Sequence, residues 1–161
     1  MKNLKMICFD MDGTVADLYG VDNWLYMLRN EIPTPYEVAK PMWDMVRLAE
    51  LLHMAQGMGI EIRIITWLSM DSSELYKAQV REAKREWLDK MGFPYDHFHG
   101  VAYGTTKADC VRQYLGENEQ AILFDDSDKV RAGWHMGEAV NPTEVDIIEY
   151  LEKLVEEKFT Y

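Results

Sequence analysis

Residues 7–14 (ICFDMDGT) constrain the fold of this chain more than any other part of the sequence. An apolar run of strand-forming residues ends there at Asp10, and a second carboxylate, Asp12, follows two residues later. Short apolar runs are typical of the buried strands of parallel sheets, whose functional sites lie at the carboxyl ends of the strands. Gly13 gives the backbone the freedom to leave the sheet at this point. The stretch therefore predicts a strand that delivers two carboxylates to one sheet edge.

The two carboxylates also indicate a kind of chemistry. Carboxylates this close repel each other unless a cation or a shared proton lies between them. A hard cation such as Mg²⁺ takes oxygen ligands, so it would relieve the repulsion and prepare the site for a phosphate group. A plain Asp-Gly turn at a strand end is the alternative. The choice between the two depends on what the other strand ends carry.

Length and charge limit the class of protein. The chain has 161 residues, of which 48% are hydrophobic, and this favours one globular domain over residues 1–161. It carries 28 acidic against 17 basic residues, a formal charge of −11. Such a charge argues against a nucleic-acid polymer or an anionic membrane as the main partner. A small phosphorylated ligand remains compatible with it, because a local metal ion outweighs distant surface charge.

Cysteine usage and hydropathy favour a cytoplasmic location. The two cysteines, Cys8 and Cys110, lie in a predicted strand and a predicted helix, which is unlike a disulfide framework and fits a reducing compartment. The first apolar run meets Asp10 too early for a signal peptide. No apolar stretch approaches the length of a membrane span.

Predicted strands alternate with predicted helices along the chain, which favours an α/β fold with a parallel sheet and right-handed crossovers. The predicted strands cover residues 4–9, 60–65, 98–103, 121–124 and 138–140.

Residues 19–40 form a small insert after the first strand. They contain a predicted helix near residues 24–28, and Pro33 and Pro35 are expected to break the chain after it. The segment is too short for a domain of its own. We therefore interpret it as a small cap or flap over the carboxylate pair.

The other strand ends carry polar groups that suit phosphoryl transfer. Thr66 ends the second strand, Lys107 begins the helix after the third, and Asp125 with Asp126 ends the fourth. A carboxylate can attack phosphorus to form an acyl phosphate, and a second carboxyl group can protonate the leaving oxygen. The charge on the transferred group needs Mg²⁺, a lysine and hydrogen-bond donors.

These motifs, in this order, resemble those of the haloacid dehalogenase (HAD) superfamily, and the resemblance spans residues 4–134. It implies a three-layer Rossmann-like fold, in which a five-stranded parallel sheet has helices on both faces and a minimal helical cap. It also implies a phosphatase that requires Mg²⁺ and works through an aspartyl-phosphate. The acid at Asp12 favours phosphate chemistry, since dehalogenases of the superfamily lack an acid there.

The resemblance assigns a role to each acidic residue. Asp10 would be the nucleophile and a Mg²⁺ ligand, and Asp12 would be the general acid and base. Asp12 would also bind the metal through its backbone carbonyl. Asp125 would ligate Mg²⁺ directly, with Asp126 behind it or exchanging that role.

The resemblance also assigns three phosphate-binding groups. The hydroxyl of Thr66 and the backbone N–H of Trp67 would bind the phosphoryl group. Lys107 would neutralise both the phosphate and the nucleophile.

Within the superfamily, the spacing of residues 83–92, 106–107 and 122–126 is similar to that of the 5′(3′)-deoxyribonucleotidases. That similarity implies a (deoxy)ribonucleoside monophosphate as substrate. The cap of that family is longer than residues 19–40, so a sugar phosphate or another small phosphoester is the alternative. A short cap leaves the cleft comparatively open, which would admit a larger substrate or call for a partner subunit as a lid, as in a homodimer.

A different class of function also remains open, namely a non-catalytic phosphate-binding or signalling module. A response-regulator receiver, for example, also combines Asp, Thr, Lys and Mg²⁺ on a parallel sheet. Its phosphorylated Asp ends the third strand, however, where this chain has Tyr103 and Gly104. The order of the motifs therefore disfavours a receiver.

Overall fold

The protein is described by a computed structural model that covers residues 2–159. Seven strands lie within this range: β1 (Asn3–Phe9), β2 (Ala16–Asp17), β3 (Lys40–Pro41), β4 (Glu61–Trp67), β5 (His97–Val101), β6 (Glu119–Phe124) and β7 (Ala139–Val140). Five of them form one parallel sheet in the order β5-β4-β1-β6-β7, and β2 pairs with β3 in an antiparallel ribbon. Strand β1 therefore lies at the centre of the sheet.

The same residues contain seven α-helices: α1 (Trp24–Arg29), α2 (Thr34–Val38), α3 (Met45–Gly57), α4 (Glu74–Lys90), α5 (Lys107–Val111), α6 (Asp128–Ala132) and α7 (Ile147–Phe159). None of the described helices is long and apolar enough to cross a membrane.

Both faces of the sheet are covered, as the alternation along β1 shows. Ile7 and Phe9 are fully buried in a core with α3, α4 and α7, whereas Met6 and Cys8 are fully buried in a second core with α5. A strand buried on both faces needs a continuous apolar run, which is what residues 6–9 provide. The predicted α/β fold, with a five-stranded parallel sheet and helices on both faces, is confirmed.

Two local expectations are corrected by the structure. Pro35 does not break the chain but lies in the first turn of α2, where a missing N–H is not needed. The strand expected over residues 98–103 spans His97–Val101 instead, because a turn follows in which Thr105 N–H donates to the Ala102 carbonyl at 3.0 Å.

The insert over residues 19–40 packs on helix α4. The hydroxyl of Tyr76 donates to the carbonyl of Ile32 at 3.2 Å, and Trp87 Nε1–H donates to the carbonyl of Ala39 at 2.7 Å. These contacts attach the insert to the helix at two points along its length. Helix α4 thus links the cap to the sheet.

Gly137, which lies just before β7, packs closely against the backbone of β6. Its φ is +151°, and a Cβ built there would lie 2.3 Å from the carbonyl oxygen of Ala121. We expect Gly137→Ala to lower the free energy of unfolding by about 1–3 kcal/mol, because the clash is with backbone inside the sheet. Urea denaturation of the purified variants measures this.

The control for Gly137→Ala is Gly57→Ala at the end of α3, where an added Cβ meets nothing within 4 Å. This change should leave stability equal or raise it by up to about 1 kcal/mol, because alanine suits a helix better than glycine. Equal losses in the two variants would show that the close approach at Gly137 does not limit stability.

Candidate active site

A tight turn after β1 presents the first acidic residues. The backbone N–H of Asp10 still bonds to the sheet at Phe124 O (2.9 Å), and the N–H groups of residues 14–16 then all point at the Met11 carbonyl. Gly13 has φ +79°, and a Cβ there would lie 2.4 Å from Asp126 Oδ2. Glycine is therefore required both by the turn and by the close approach of Asp126.

Lys107 bridges the carboxylates of Asp10 and Asp125. Its ammonium nitrogen lies 2.8 Å from Asp10 Oδ1 and 2.7 Å from Asp125 Oδ2. Asp10 also accepts from the Thr14 hydroxyl at 3.1 Å, and Asp125 accepts from Ser127 N–H at 2.9 Å. Burial lowers the pKa of Lys107, but the carboxylates of Asp10 and Asp125 outweigh it and raise that pKa above its usual value. Lys107 is thus held as a cation beside Asp10.

Three carboxylates form a cluster that can hold a metal ion. Asp10, Asp125 and Asp126 each offer an oxygen, and these oxygens lie within 4.8 Å of one another. Burial and, next, the charge of Asp10 raise the pKa of Asp125 to about 6 and that of Asp126 to about 7. A divalent cation would relieve the part of these shifts that comes from repulsion between the carboxylates. Because every ligand in the cluster is a carboxylate oxygen, the site fits a hard cation such as Mg²⁺.

Asp12 is paired with Lys84, whereas Asp10 is paired with Lys107. Its Oδ2 accepts a hydrogen bond from Lys84 Nζ at 2.9 Å, and Lys84 also reaches Thr66 Oγ1 at 2.7 Å and Trp67 O at 3.0 Å. Burial raises the pKa of Asp12 above its usual value, and Lys84 opposes that rise. The two carboxylates of the motif are therefore each paired with a separate lysine.

Lys84 is the residue of this site that the sequence analysis missed. It is completely buried, and it lies on the inner face of α4 with Val80, Trp87 and Leu88. These residues recur at i, i+4, i+7 and i+8, which is the spacing of a buried helical stripe. A lysine on such a stripe needs a partner. That signal was available in the sequence.

The cluster lies in a cavity of about 940 Å³. All seven predicted site residues line it: Asp10, Asp12, Thr66, Trp67, Lys107, Asp125 and Asp126. Asp126 is the third member of the carboxylate cluster, together with Asp10 and Asp125.

Aromatic pairs form two walls of the cavity. Trp67 packs against Tyr103 with ring centroids 4.9 Å apart, and Tyr19 packs against Trp24 at 5.0 Å. The indole N–H of Trp67 donates to Thr105 O at 2.8 Å, which fixes that ring. Tyr19 and Trp24 come from the cap and Trp67 from β4. The cap therefore supplies part of the surface that a ligand would meet.

Comparison with known proteins places the fold. No protein-family model matches the chain, and no curated protein matches it significantly. Among solved structures, the chain resembles D,D-heptose 1,7-bisphosphate phosphatase from B. bronchiseptica, a structure complexed with magnesium and phosphate. The TM-score is 0.58 and the identity 14%, over 96% of this chain and 99% of that one.

A haloacid dehalogenase-like family hydrolase from Streptococcus pneumoniae is also similar. It has a TM-score of 0.55 and 15% identity over 91% of this chain and 98% of that one. At these identities the comparison establishes a shared fold. The chain thus has the HAD-like fold over nearly its whole length.

Proposed function

We propose that the protein is a phosphomonoester hydrolase that works through an aspartyl-phosphate on Asp10. One observation carries the proposal. The cavity that contains Asp10 brings together Lys107, the cluster of Asp125 and Asp126, and a second acid, Asp12, that is paired with a different lysine. A nucleophile, an acid and a cation site within one cavity are the groups that phosphoryl transfer needs.

The first half-reaction forms the acyl phosphate. A carboxylate oxygen of Asp10 attacks phosphorus as the bond from phosphorus to the leaving oxygen breaks. Asp12 in its acid form gives its proton to that oxygen. The hydroxyl oxygen of Thr66 accepts from Lys84, so its hydrogen is free to donate to the phosphoryl group, and Lys107 neutralises negative charge.

The second half-reaction returns the enzyme to its starting state. The Asp12 carboxylate takes a proton from water, whose oxygen attacks phosphorus as the bond from phosphorus to Asp10 breaks. The net reaction converts a phosphate monoester and water into an alcohol and inorganic phosphate.

A bound Mg²⁺ held by Asp10, Asp125 and Asp126 would stabilise the negative charge that develops on the phosphoryl oxygens. The backbone carbonyl of Asp12 is proposed as a further ligand, as the family resemblance implies.

A nucleoside monophosphate is the substrate that we favour. The cavity of about 940 Å³ is large enough for a nucleotide, and its aromatic walls at Trp67–Tyr103 and Tyr19–Trp24 could stack on a base. A sugar phosphate is the alternative within the same reaction class, and the heptose bisphosphate phosphatase named above acts on such a compound.

Phosphate release from a panel of compounds tests this function. The panel contains 5′- and 3′-nucleoside monophosphates with ribose or deoxyribose, sugar phosphates and glycerol phosphate. We expect release with Mg²⁺ and loss of release with excess chelator, because the carboxylate cluster needs a cation to accept a phosphate. Higher kcat/KM for nucleotides than for the matching ribose phosphates would support contact with the base.

The panel also separates the alternatives. Equal kcat/KM for ribose 5-phosphate and nucleotides would favour sugar phosphates and contradict the nucleotide proposal. Restored release after Mg²⁺ is added back controls for damage by the chelator. No release from any compound by folded protein would favour the non-catalytic binding module.

A further inference from the structure

Lys84 is a fully buried lysine that takes no chemical part in the two half-reactions. Its ammonium nitrogen has three hydrogen-bond acceptors, namely Asp12 Oδ2, Thr66 Oγ1 and Trp67 O, at 2.7–3.0 Å. An ammonium group has three hydrogens, so each acceptor can take one. The three hydrogen bonds therefore fix both the orientation of the Lys84 ammonium group and its distance from Asp12.

The surroundings of Lys84 keep this contact out of water. The side chain of Lys84 is 0% exposed and that of Asp12 is 17% exposed. The ring centroid of Tyr36, from helix α2 of the cap, lies 5.1 Å from the ammonium nitrogen. Exposed ion pairs are mobile and contribute little, whereas a buried, fully hydrogen-bonded pair holds one geometry.

Lys84 therefore ties the loop after β1 to the end of β4. Two of its acceptors, Thr66 and Trp67, belong to β4, which lies between β5 and β1 in the sheet, and the third is the carboxylate that follows β1. The β4 contacts act as a rigid base for the lysine. Asp12 is thereby held relative to Thr66, the proposed phosphate-binding residue.

We propose that Lys84 is a positioning residue that holds the Asp12 carboxyl group in the orientation needed to exchange a proton with the leaving oxygen and with water. The inference rests on the proposed phosphatase function. Lys84 itself forms no covalent bond and transfers no proton. Lys84 contributes by restricting the Asp12 carboxyl group to orientations from which a proton can be transferred.

Leaving groups of different basicity test this role. An alkyl phosphate, the best compound of the panel, needs its leaving oxygen protonated, whereas p-nitrophenolate leaves without a proton. For Lys84→Met we expect kcat on the alkyl ester to fall roughly 10²-fold, the low end of general acid–base effects, with little change in KM. The first release of p-nitrophenolate, in a rapid-mixing experiment, should fall less than about tenfold. Phosphorylated protein should then accumulate, because water attack also needs Asp12.

Two controls accompany this experiment. Lys77→Met makes the same change on the same helix at a lysine that pairs with Glu74 near the surface, and it should behave as wild type. Asp12→Asn provides a double-mutant cycle. Adding Lys84→Met to Asp12→Asn should cost less than about threefold, because a residue that acts through Asp12 has no separate effect without it.

The double variant also keeps the test decisive if Lys84→Met alone does not fold, since it removes both charges of the ion pair together. Equal losses on the alkyl and aryl esters would overturn the inference, and so would a further hundredfold loss in the Asp12→Asn background. Wild type that releases phosphate from neither ester would overturn the proposed function and this inference with it. Active wild type with an unaffected Lys84→Met variant would overturn only the inference.

Discussion

Asp10→Asn should lower phosphate release by roughly 10⁴-fold or more, the scale seen when a catalytic nucleophile is removed. An amide oxygen is a poor nucleophile and cannot form the acyl phosphate that water later cleaves. The fold should survive, because the asparagine oxygen can still accept from Lys107, and its amide N–H can donate to the Thr14 hydroxyl, which also accepts. Steady-state phosphate release with Mg²⁺, together with circular dichroism, measures both effects.

Asp109→Asn is the matched control for this change. Asp109 is an exposed acid on α5, the helix that begins with Lys107, and it pairs with Arg112 on the surface. It should retain wild-type kcat and KM. An Asp10→Asn variant with more than about a tenth of the wild-type rate would show that Asp10 is not the nucleophile.

Asp12→Asn should lower phosphate release from alkyl phosphates by roughly 10²–10⁴-fold, the range of general acid–base catalysis. Both half-reactions lose their proton carrier, while Asp10 and Lys107 keep their geometry. Asparagine still offers an oxygen to Lys84, so the buried lysine keeps an acceptor. The rate should be measured over several alkyl and aryl esters.

The contrast between esters distinguishes this role from a general loss of structure. Asp12→Asn should retain most of the first release of p-nitrophenolate, because that leaving group needs no proton. A uniform loss on all esters would contradict the assignment of Asp12 as general acid. Asp44→Asn, at the exposed start of α3, is a control expected to have no effect.

The main outline of the fold could be predicted because its signals are local. Apolar runs that end at Asp10, Thr66 and Asp125 predict buried parallel strands, and β1, β4 and β6 are adjacent in the sheet. A parallel sheet then places those ends along one edge. The same pattern of apolar runs therefore also predicts that the polar residues at the strand ends lie close together.

Features that depend on distant contacts could not be predicted in this way. The ribbon of β2 and β3 pairs Asp17 with Lys40, and these two residues are far apart in sequence. Each strand of the ribbon is also too short to show a periodic pattern. The N-cap of α4 is Ser73, whose hydroxyl accepts from Tyr76 N–H at 3.1 Å. Its neighbours Asp71 and Ser72 are residues of equally good capping types, so the sequence alone does not select Ser73.

The residues of the candidate site also divide into those that local sequence signals indicate and those that depend on distant contacts. The family motifs point to the acids and to Lys107, because each follows a recognisable strand. Lys84 lies in the middle of a long helix, where a lysine usually means a solvated surface. Only its place on the apolar stripe, between Val80 and Trp87, indicates burial. Its partners Asp12 and Thr66 are set by the packing of α4 on the sheet.

Location of the phosphoryl group on the protein tests the central claim most directly. Asp12→Asn is mixed with p-nitrophenyl phosphate and Mg²⁺, quenched in acid, digested and analysed by mass spectrometry. We expect the mass of one phosphoryl group on Asp10, in a bond that hydroxylamine cleaves, and none on the Asp10→Asn protein treated in parallel. A phosphoryl group on another residue, or p-nitrophenolate release without any phosphorylated peptide, would contradict catalysis through Asp10.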